Sequence, residues 1–210
     1  MDGAAKEDEH WDLFEDVEAE VRFAPMPRTL AFQDGWSVIE AELPQEGAAR
    51  WMTCEGAFSL DQTRVHLRSD QSFRRDQLRA ASHQVMALAV ALACRPGEPC
   101  SVVVLGGGGM ALPMALLANA SAQLSLQVVE LHAAVIDFAR RFFGASHERL
   151  GVHQADALQW VLGGQMASCD VLLVDIDFLR GEGGDDGGEE DGVFTSREFW
   201  DAVWSQTKSL

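Results

Sequence analysis

The spacing of apolar and polar residues changes near residue 70 and divides the chain into two regions. Before that point, short alternating runs separated by turn signals such as Asp34 and Gly35 predict a small antiparallel β-hairpin subdomain over residues 21–70. Beyond it, continuous apolar runs alternate with segments of helical period, which predicts parallel βαβ units. Residues 71–210 are therefore expected to form an α/β domain with an open parallel sheet.

The pattern predicts eight strands and five helices. The strands are expected at residues 29–32, 36–43, 51–54, 64–67, 101–105, 127–131, 150–154 and 170–175. The helices are expected at residues 76–94, 110–119, 133–143, 155–162 and 195–208, the last capped by Thr195. The apolar residues of the first helix are expected in the core: Leu78, Val85, Met86 and Leu92. Those of the last helix are expected to share one side: Phe199, Val203 and Trp204.

Charge is concentrated in two short segments. The chain has 33 acidic and 16 basic residues and a formal net charge of -17, which argues against nucleic acid as the partner. Nine acids and one lysine fall in residues 1–20, which we interpret as an acidic N-terminal arm. Residues 181–192 contain only Gly, Asp and Glu, a composition typical of a flexible loop.

Three further features bear on location and cofactors. The longest strongly apolar stretch, residues 85–94, is about half as long as a membrane span, and Met1 opens an acidic segment rather than a signal peptide. We therefore expect a cytoplasmic protein with no membrane association. The six histidines form no ligand cluster, so no metal is expected. The cysteines are expected as buried reduced thiols: Cys54, Cys94, Cys100 and Cys169.

Distinctive residues follow each of the four predicted parallel strands. They are Gly106 with Gly108, then Glu130, then Asp156, and finally Asp175 with Asp177. In an open α/β sheet, ligands bind beyond the carboxyl ends of the strands, where glycines allow close approach and a carboxylate can accept ribose hydroxyls. Each acid alone is equally well explained as a solvated or helix-capping residue. The combination indicates one ligand site.

Two ligand classes fit these strand ends. A dinucleotide would use the glycine turn, with Ala111 as its last small residue, but Asp156 and Asp175 would bring negative charge toward a diphosphate. A nucleoside with positive charge suits the acids better. S-adenosylmethionine, with its sulfonium and amino groups, is such a compound, and we favour it.

Four segments resemble a known family: VVVLGGGGMALPM (102–114), VVEL (128–131), QADA (154–157) and CDVLLVDID (169–177). Together they resemble the spermidine-synthase-like branch of class I S-adenosylmethionine-dependent methyltransferases. They are most similar to the methyltransferase-like proteins that modify eukaryotic elongation factor 1-alpha, whose pattern is a glycine turn with Leu-Pro, then V-E-I-D, A-D-G and D-V-D. The resemblance spans residues 50–204 and implies a Rossmann-like fold with S-adenosylmethionine as cofactor.

The resemblance implies roles for the matched residues. The cofactor residues are Gly106 and Gly108 at the methionine part, Glu130 at the ribose, Asp156 with Ala157 at the adenine, and Asp175 at the reacting centre. Asp175 is also the implied proton acceptor for an amine substrate, and Asp177 is the second acid of D-V-D. His83 matches the histidine of the family's Y-H-x-x-M, and Gln62 matches a glutamine after its hairpins. His83 is otherwise explained as a helix histidine satisfied by packing or water.

The sequence departs from the family at several positions. Met110 stands where the family has a third glycine and is expected to crowd the turn, and His132 replaces the Asp of V-E-I-D. Ser82 and Gln84 replace the Tyr and Glu that flank the histidine in polyamine synthases. The expected function is therefore methyl transfer to a protein amine, either a lysine or an amino terminus. The alternatives are a polyamine aminopropyltransferase and a non-catalytic binding protein with a degenerate pocket.

The resembling fold continues with further strands beyond the fourth one. We expect the chain to be a C-terminally truncated form of that fold, as a fragment or an isoform, or to have its sheet edge covered by another chain. A homo-oligomer is one way to cover the edge.

Overall fold

The computed structural model describes residues 26–55, 63–120, 122–176, 194 and 196–206. The expected acidic arm at 1–20 and the acidic segment at 181–192 lie outside the described residues. The candidate residues Gln62 and Asp177 lie outside them as well.

The first sheet is antiparallel, as predicted. Its four strands, in spatial order, are β1 (Arg28–Gln33), β2 (Trp36–Leu43), β3 (Gly47–Cys54) and β4 (Thr63–His66). Asp34 and Gly35 connect β1 to β2 with φ of 50° and 78°. A two-residue hairpin needs positive φ at both positions to match the strand twist, and Asp and Gly tolerate it.

The second sheet is parallel, and it contains the remaining four strands: β5 (Pro99–Leu105), β6 (Gln123–Glu130), β7 (Leu150–Gln154) and β8 (Val171–Val174). Their spatial order is β7-β6-β5-β8. Strands β6 and β7 follow one another on one side of β5, and β8 pairs with β5 on its other side. The strand order therefore reverses at β5, and this reversal opens a crevice at its carboxyl end.

Five helices complete the α/β domain: α1 (Ala81–Ala93), α2 (Ala111–Asn119), α3 (Ala133–Phe142), α4 (Ala157–Leu162) and α5 (Arg197–Gln206). Side chains of β5 alternate between two cores, which explains its continuous apolar run. Val102 and Val104 pack with α1 and α2, whereas Val103 and Leu105 pack with α4 and α5. The antiparallel sheet packs against α3 in a third cluster.

Three sequence predictions about the helices were wrong. Helix α1 begins at Ala81 rather than at residue 76. Val85 and Leu92 are 66% and 80% exposed, since α1 faces the core through Val90 and Met86 instead. Trp204 is 80% exposed, because the rotation of α5 that buries Phe199 and Val203 turns it outward. The Ser196 hydroxyl caps α5 by accepting the Phe199 N–H at 3.2 Å, and the predicted cap Thr195 lies outside the described residues.

The expectation of four reduced thiols was also wrong. Cys94 and Cys100 form a disulfide that joins the end of α1 to the start of β5, while Cys54 and Cys169 are buried thiols. The Arg95-Pro96-Gly97 turn brings the two chain segments together, which spacing alone did not reveal. Disulfides are rare in reducing compartments, so the cytoplasmic location stays a prediction. Counting the free thiols of the protein isolated from cells tests it. Among the described residues, no helix has the length and apolar character needed to cross a membrane.

Candidate functional site

The glycine turn at residues 106–109 lies in the crevice at the end of β5 and is held from both sides. The Gly106 N–H donates to the Val129 carbonyl at 2.9 Å, and the Asp175 N–H donates to the Leu105 carbonyl at 2.7 Å. Gly106 has φ of 88°, and a Cβ placed there would lie 2.1 Å from the Asp175 carbonyl oxygen. Only glycine fits this position, because the backbone that follows β8 passes directly against it.

Glu130 ends β6 and binds the glycine turn directly. Its Oε2 accepts the N–H groups of Gly107 and Gly108, each at 3.0 Å, and its Oε1 accepts the His132 N–H at 2.9 Å. The residue is only 7% exposed. An ionised carboxylate is acceptor-only and has about four lone-pair sites, so three are used and one remains on Oε1 for a ribose hydroxyl. Glu130 therefore fixes the conformation of the glycine turn through these hydrogen bonds and also borders the turn.

Met110 packs directly against the glycine turn, since a Cβ at Gly107 would lie 2.7 Å from its methyl carbon. It adopts the left-handed conformation, with φ of 63°, at the place where the family has glycine. Its side chain is fully buried and packs in the core with Leu112 and Val128, on the inner side of the turn. The left-handed backbone conformation of Met110 costs about 1 kcal/mol relative to glycine.

Thr63 is a functional contact that the sequence did not reveal. Its hydroxyl accepts the Gly109 N–H at 2.7 Å, and a Cβ at Gly109 would lie 2.7 Å from the Thr63 methyl group. This contact joins β4 of the antiparallel sheet to the start of α2. A lone threonine at a strand start carries no sequence signal for such a role.

Asp156 is the N-cap of α4. Its Oδ1 accepts the Gln159 N–H at 2.8 Å, which leaves Oδ2 outside that bond, and Ala157 is the first helical residue. The preceding Ala155 N–H donates to the Glu130 carbonyl at 3.1 Å. The helix-capping explanation is therefore correct for one oxygen, and the loop after β7 is joined to the end of β6.

Asp175 is paired with His83. The His83 Nε2 and the Asp175 Oδ2 are 2.8 Å apart, and both side chains are partly buried. His83 sits in the first turn of α1, so the pair connects this helix to the end of β8. The structure thus places Glu130, Asp175 and His83 at the glycine turn, while Asp156 lies at the same edge of the sheet, at the end of β7 beyond β6.

Two further side chains border this edge. Leu131 follows Glu130 and is 53% exposed, an unusual position for a large apolar residue. The His132 ring contacts Trp36 of β2 in a tilted arrangement, with ring centroids 5.3 Å apart and 51° between the planes. An apolar residue directly after a strand-end acid was the available sequence signal for Leu131. Nothing in the sequence pattern linked Trp36 to His132, because Trp36 begins β2 of the antiparallel sheet and His132 precedes α3 of the α/β domain.

Two cavities lined by described residues lie near these elements. A groove of about 740 Å³ runs between α1 and α2 and contains none of the strand-end acids. A smaller cavity of about 290 Å³ lies beside His83 and is also lined by Thr63 and the start of α2 at Ala111. The smaller cavity is therefore the one next to the site.

Comparison with known proteins gives structural matches only: no protein-family model and no curated protein matches the chain. Human methyltransferase-like protein 13, solved with S-adenosylhomocysteine, is 24% identical with a TM-score of 0.50, over 62% of this chain and 61% of that one. A probable spermidine synthase from Corynebacterium glutamicum is 18% identical with a TM-score of 0.62, over 88% and 61%. A spermidine synthase solved with the transition-state analogue AdoDATO is 17% identical with a TM-score of 0.53, over 86% and 55%.

The fold is that of the Rossmann-like methyltransferases. The chain spans between 55% and 61% of the length of these three structures. In this methyltransferase fold, the glycine turn and the strand-end acids occupy the carboxyl edge of the sheet, where the fold binds its ligands.

Substitutions at Asp156 separate capping from ligand binding. Asp156→Ala removes both the cap and the charge, and we expect it to lose about 1 kcal/mol of stability. Asp156→Ser keeps a capping oxygen, so its stability should match that of the wild type. Both variants should bind S-adenosylhomocysteine about tenfold more weakly, measured by calorimetry beside urea unfolding. Unchanged affinity in both would remove Asp156 from the ligand site.

His66 makes stability depend on pH. Burial lowers the pKa of His66 below its usual 6.5, and the positive charges of Arg79 and Arg64 lower it further. The negative charge of Glu46 acts in the opposite direction but does not cancel these effects. Below about pH 6.5 the unfolded chain therefore binds a proton at His66 more readily than the folded chain does. The free energy of unfolding consequently decreases as the pH is lowered. His66→Gln should reduce the fall in urea midpoint between pH 8 and 5.5. The exposed His153 is the control, since His153→Gln should leave the fall in place.

Proposed function

We propose that this chain binds S-adenosylmethionine at the glycine turn and transfers its methyl group to a protein amine, either a lysine or an amino terminus. The observation that carries the proposal is the convergence of the strand ends on one turn: Glu130 holds Gly107 and Gly108, while the Asp175 backbone touches Gly106. The neighbours solved with S-adenosylhomocysteine and with AdoDATO support an adenosyl ligand at this edge.

The residues at the strand ends fit a cationic adenosyl compound. The positions directly after the parallel strands include Asp156 and Asp175 but no Arg or Lys, so their charge favours a sulfonium over a diphosphate. Glu130 keeps one acceptor site for a ribose hydroxyl. The exposed Leu131 offers an apolar face to a planar ring, and the second Asp156 oxygen can accept from an adenine amine.

When bound, the cofactor supplies a methyl group on sulfur, and the acceptor nitrogen takes that methyl while the carbon–sulfur electron pair stays on sulfur. The chain's own residues must hold the acceptor in line and remove its proton, because an ammonium has no lone pair. Asp175 and His83 form the one acid–histidine pair at the described edge of the turn. We therefore place proton removal at this pair, with Asp177 as a further acid.

Two alternatives remain distinguishable. Aminopropyl transfer, as in the polyamine synthases, is disfavoured by Ser82 and Gln84, which replace the Tyr and Glu of those enzymes. A non-catalytic role is motivated by Met110 and His132. Met110 is fully buried, so its side chain does not project from the turn into solvent. Membership of the subfamily that modifies elongation factor 1-alpha is part of the proposal and rests on the four motifs.

The experiment uses the full chain with radiolabelled S-adenosylmethionine and cell extract as the source of amines. We expect label in a protein band, acid-stable and located on lysine or an amino terminus, and its loss in Asp175→Asn. A parallel reaction with decarboxylated cofactor and putrescine tests the rival, since spermidine formation would reverse the ranking. Absence of any thermal shift with S-adenosylhomocysteine would support the non-catalytic alternative.

We also propose that a second copy covers the open side of β8. Within the described residues, β8 pairs with β5 alone. Helix α1 beside it contains no charged residue and exposes Val85, Leu88 and Leu92. An apolar helix face is normally covered by another element. Sedimentation should show a dimer that Leu88→Lys converts to monomer, and a wild-type monomer at 50 µM would contradict this.

A further inference from the structure

The N–H groups of the glycine turn are held by both sheets of the protein. Those of residues 106–108 donate to acceptors on β6, namely the Val129 carbonyl at 2.9 Å and the Glu130 carboxylate at 3.0 Å. The N–H of Gly109 instead donates to the hydroxyl of Thr63 on β4, at 2.7 Å. The conformation of the turn therefore depends on the antiparallel sheet as well as on the parallel one.

Thr63 presents its hydroxyl to the turn from a fixed position. It is the first residue of β4, pairs with Met52 of β3 and is 4% exposed. Its methyl group also lies against the turn, since a Cβ at Gly109 would be 2.7 Å from it. A β-branched side chain has few rotamers, so close packing of one branch fixes the direction of the other. The hydroxyl therefore has little freedom to leave the Gly109 N–H.

The Gly109 N–H depends on this acceptor. It directly precedes Met110, the N-cap of α2, in a region where backbone N–H groups have no partner within the helix. The hydrogen bond to Thr63 is buried, so its loss would leave a donor unpaired or would move the end of the turn toward water. Such a movement would alter the turn itself, because the Met110 N–H donates back to the Gly107 carbonyl at 2.9 Å.

We propose that Thr63 is a positioning residue for the cofactor, whose hydroxyl holds the glycine turn in its binding conformation through the Gly109 N–H. The inference rests on the proposed function and adds a residue of the antiparallel sheet to the cofactor site. Thr63 also lines the small cavity beside His83, so it stands between that cavity and the turn. It takes part in no chemical step.

Loss of the hydroxyl should weaken cofactor binding through the population of turn conformations. If the freed turn spends about a tenth of its time in the binding conformation, the apparent dissociation constant rises about tenfold. A change of this size is what one neutral hydrogen bond can provide. Because the bound complex keeps the reacting groups in place, the KM for S-adenosylmethionine should rise about tenfold while kcat stays within about twofold.

The test is calorimetric titration of the full chain and its variants with S-adenosylhomocysteine. Thr63→Val replaces the hydroxyl with a methyl group, and we expect about tenfold weaker binding. Thr63→Ser keeps the hydroxyl and removes the methyl group, so its affinity should stay within about twofold of the wild type. Thr63→Ala removes the hydroxyl without adding bulk. It should weaken binding at least about threefold, and it replaces the valine variant if that variant does not fold.

Val38→Ala is the control for a general weakening of the antiparallel sheet. Val38 is fully buried on β2, two strands away from β4, and belongs to the cluster that packs against α3. Its truncation should lower the urea midpoint at least as far as Thr63→Val does. The affinity for S-adenosylhomocysteine should nevertheless stay within about twofold, because Gly109 keeps its acceptor.

The amide proton resonance of Gly109 gives a readout that loss of stability alone does not move. We expect it to shift to lower frequency in the unliganded Thr63→Val and Thr63→Ala variants, because the proton loses its hydrogen bond. It should stay near its wild-type position in Thr63→Ser and in Val38→Ala.

A loss of affinity below about threefold in Thr63→Val, or in Thr63→Ala if the valine variant does not fold, would overturn the inference. An equal loss in Thr63→Ser or in Val38→Ala would also overturn it, since the effect would then come from packing rather than from the hydroxyl. Failure of the wild-type chain to bind S-adenosylhomocysteine would instead refute the proposed function, and the inference with it.

Discussion

Replacing Gly106 with alanine should destabilise the protein by about 3–5 kcal/mol and abolish cofactor binding. The position combines a φ of 88° with a Cβ contact of 2.1 Å to the Asp175 carbonyl oxygen. The contacted atom is backbone, so no side-chain rotation can relieve the overlap. Either β8 moves away from β5 or the turn changes conformation, and both changes separate Asp175 from the turn. Urea unfolding followed by tryptophan fluorescence measures the loss.

Gly97 is the matched control for this substitution. It has a similar φ of 77°, but a Cβ there would meet nothing within 4 Å. Gly97→Ala should therefore cost only the backbone strain, about 1 kcal/mol. A Gly106→Ala variant no less stable than Gly97→Ala would show that β8 does not pass against the turn, and the described site geometry would be wrong.

Glu130→Gln should weaken binding of S-adenosylhomocysteine about a hundredfold and destabilise the protein by about 2–3 kcal/mol. The carboxylate accepts three backbone N–H groups, two on Oε2 and one on Oε1. A glutamine amide has one acceptor oxygen and one donor nitrogen. Whichever way the amide turns, its NH₂ group faces an N–H donor, so the turn must open or leave buried donors unpaired.

The exposed Glu98 provides the control for the loss of one negative charge. Its partner Arg95 is 3.9 Å away across a surface turn, and such pairs contribute little to stability. Glu98→Gln should match the wild type in both unfolding and ligand calorimetry. If Glu130→Gln also matched it, the carboxylate would have no part in shaping the turn or in holding the ligand.

The parallel sheet could be predicted from the sequence because its central strand β5 and its neighbour β8 are short apolar runs that alternate with segments of helical period. Residues 101–105 and the turn at Gly106 show this most clearly, since a strand buried on both faces leaves no polar alternation. The candidate site followed from topology: parallel strands end at the same edge, so residues after β5, β6, β7 and β8 must converge there.

The remaining features depend on contacts between distant segments. Pairing of His83 with Asp175, capping of Gly109 by Thr63 and the disulfide between Cys94 and Cys100 all join elements that periodicity treats separately. The exposed face of α1 was missed for a related reason. Apolar periodicity shows that a helix has a face to bury, but it does not show whether a neighbour covers that face.

The central claim is that the glycine turn and the surrounding strand-end acids bind S-adenosylmethionine. The most direct test is an amide NMR titration of the ¹⁵N-labelled full chain with S-adenosylhomocysteine. We predict that the resonances of Gly106, Gly108 and Ala157 shift together and saturate at one equivalent, while that of Gly97 stays in place. Saturating shifts confined to other parts of the chain, or no shifts in the folded protein, would contradict the account.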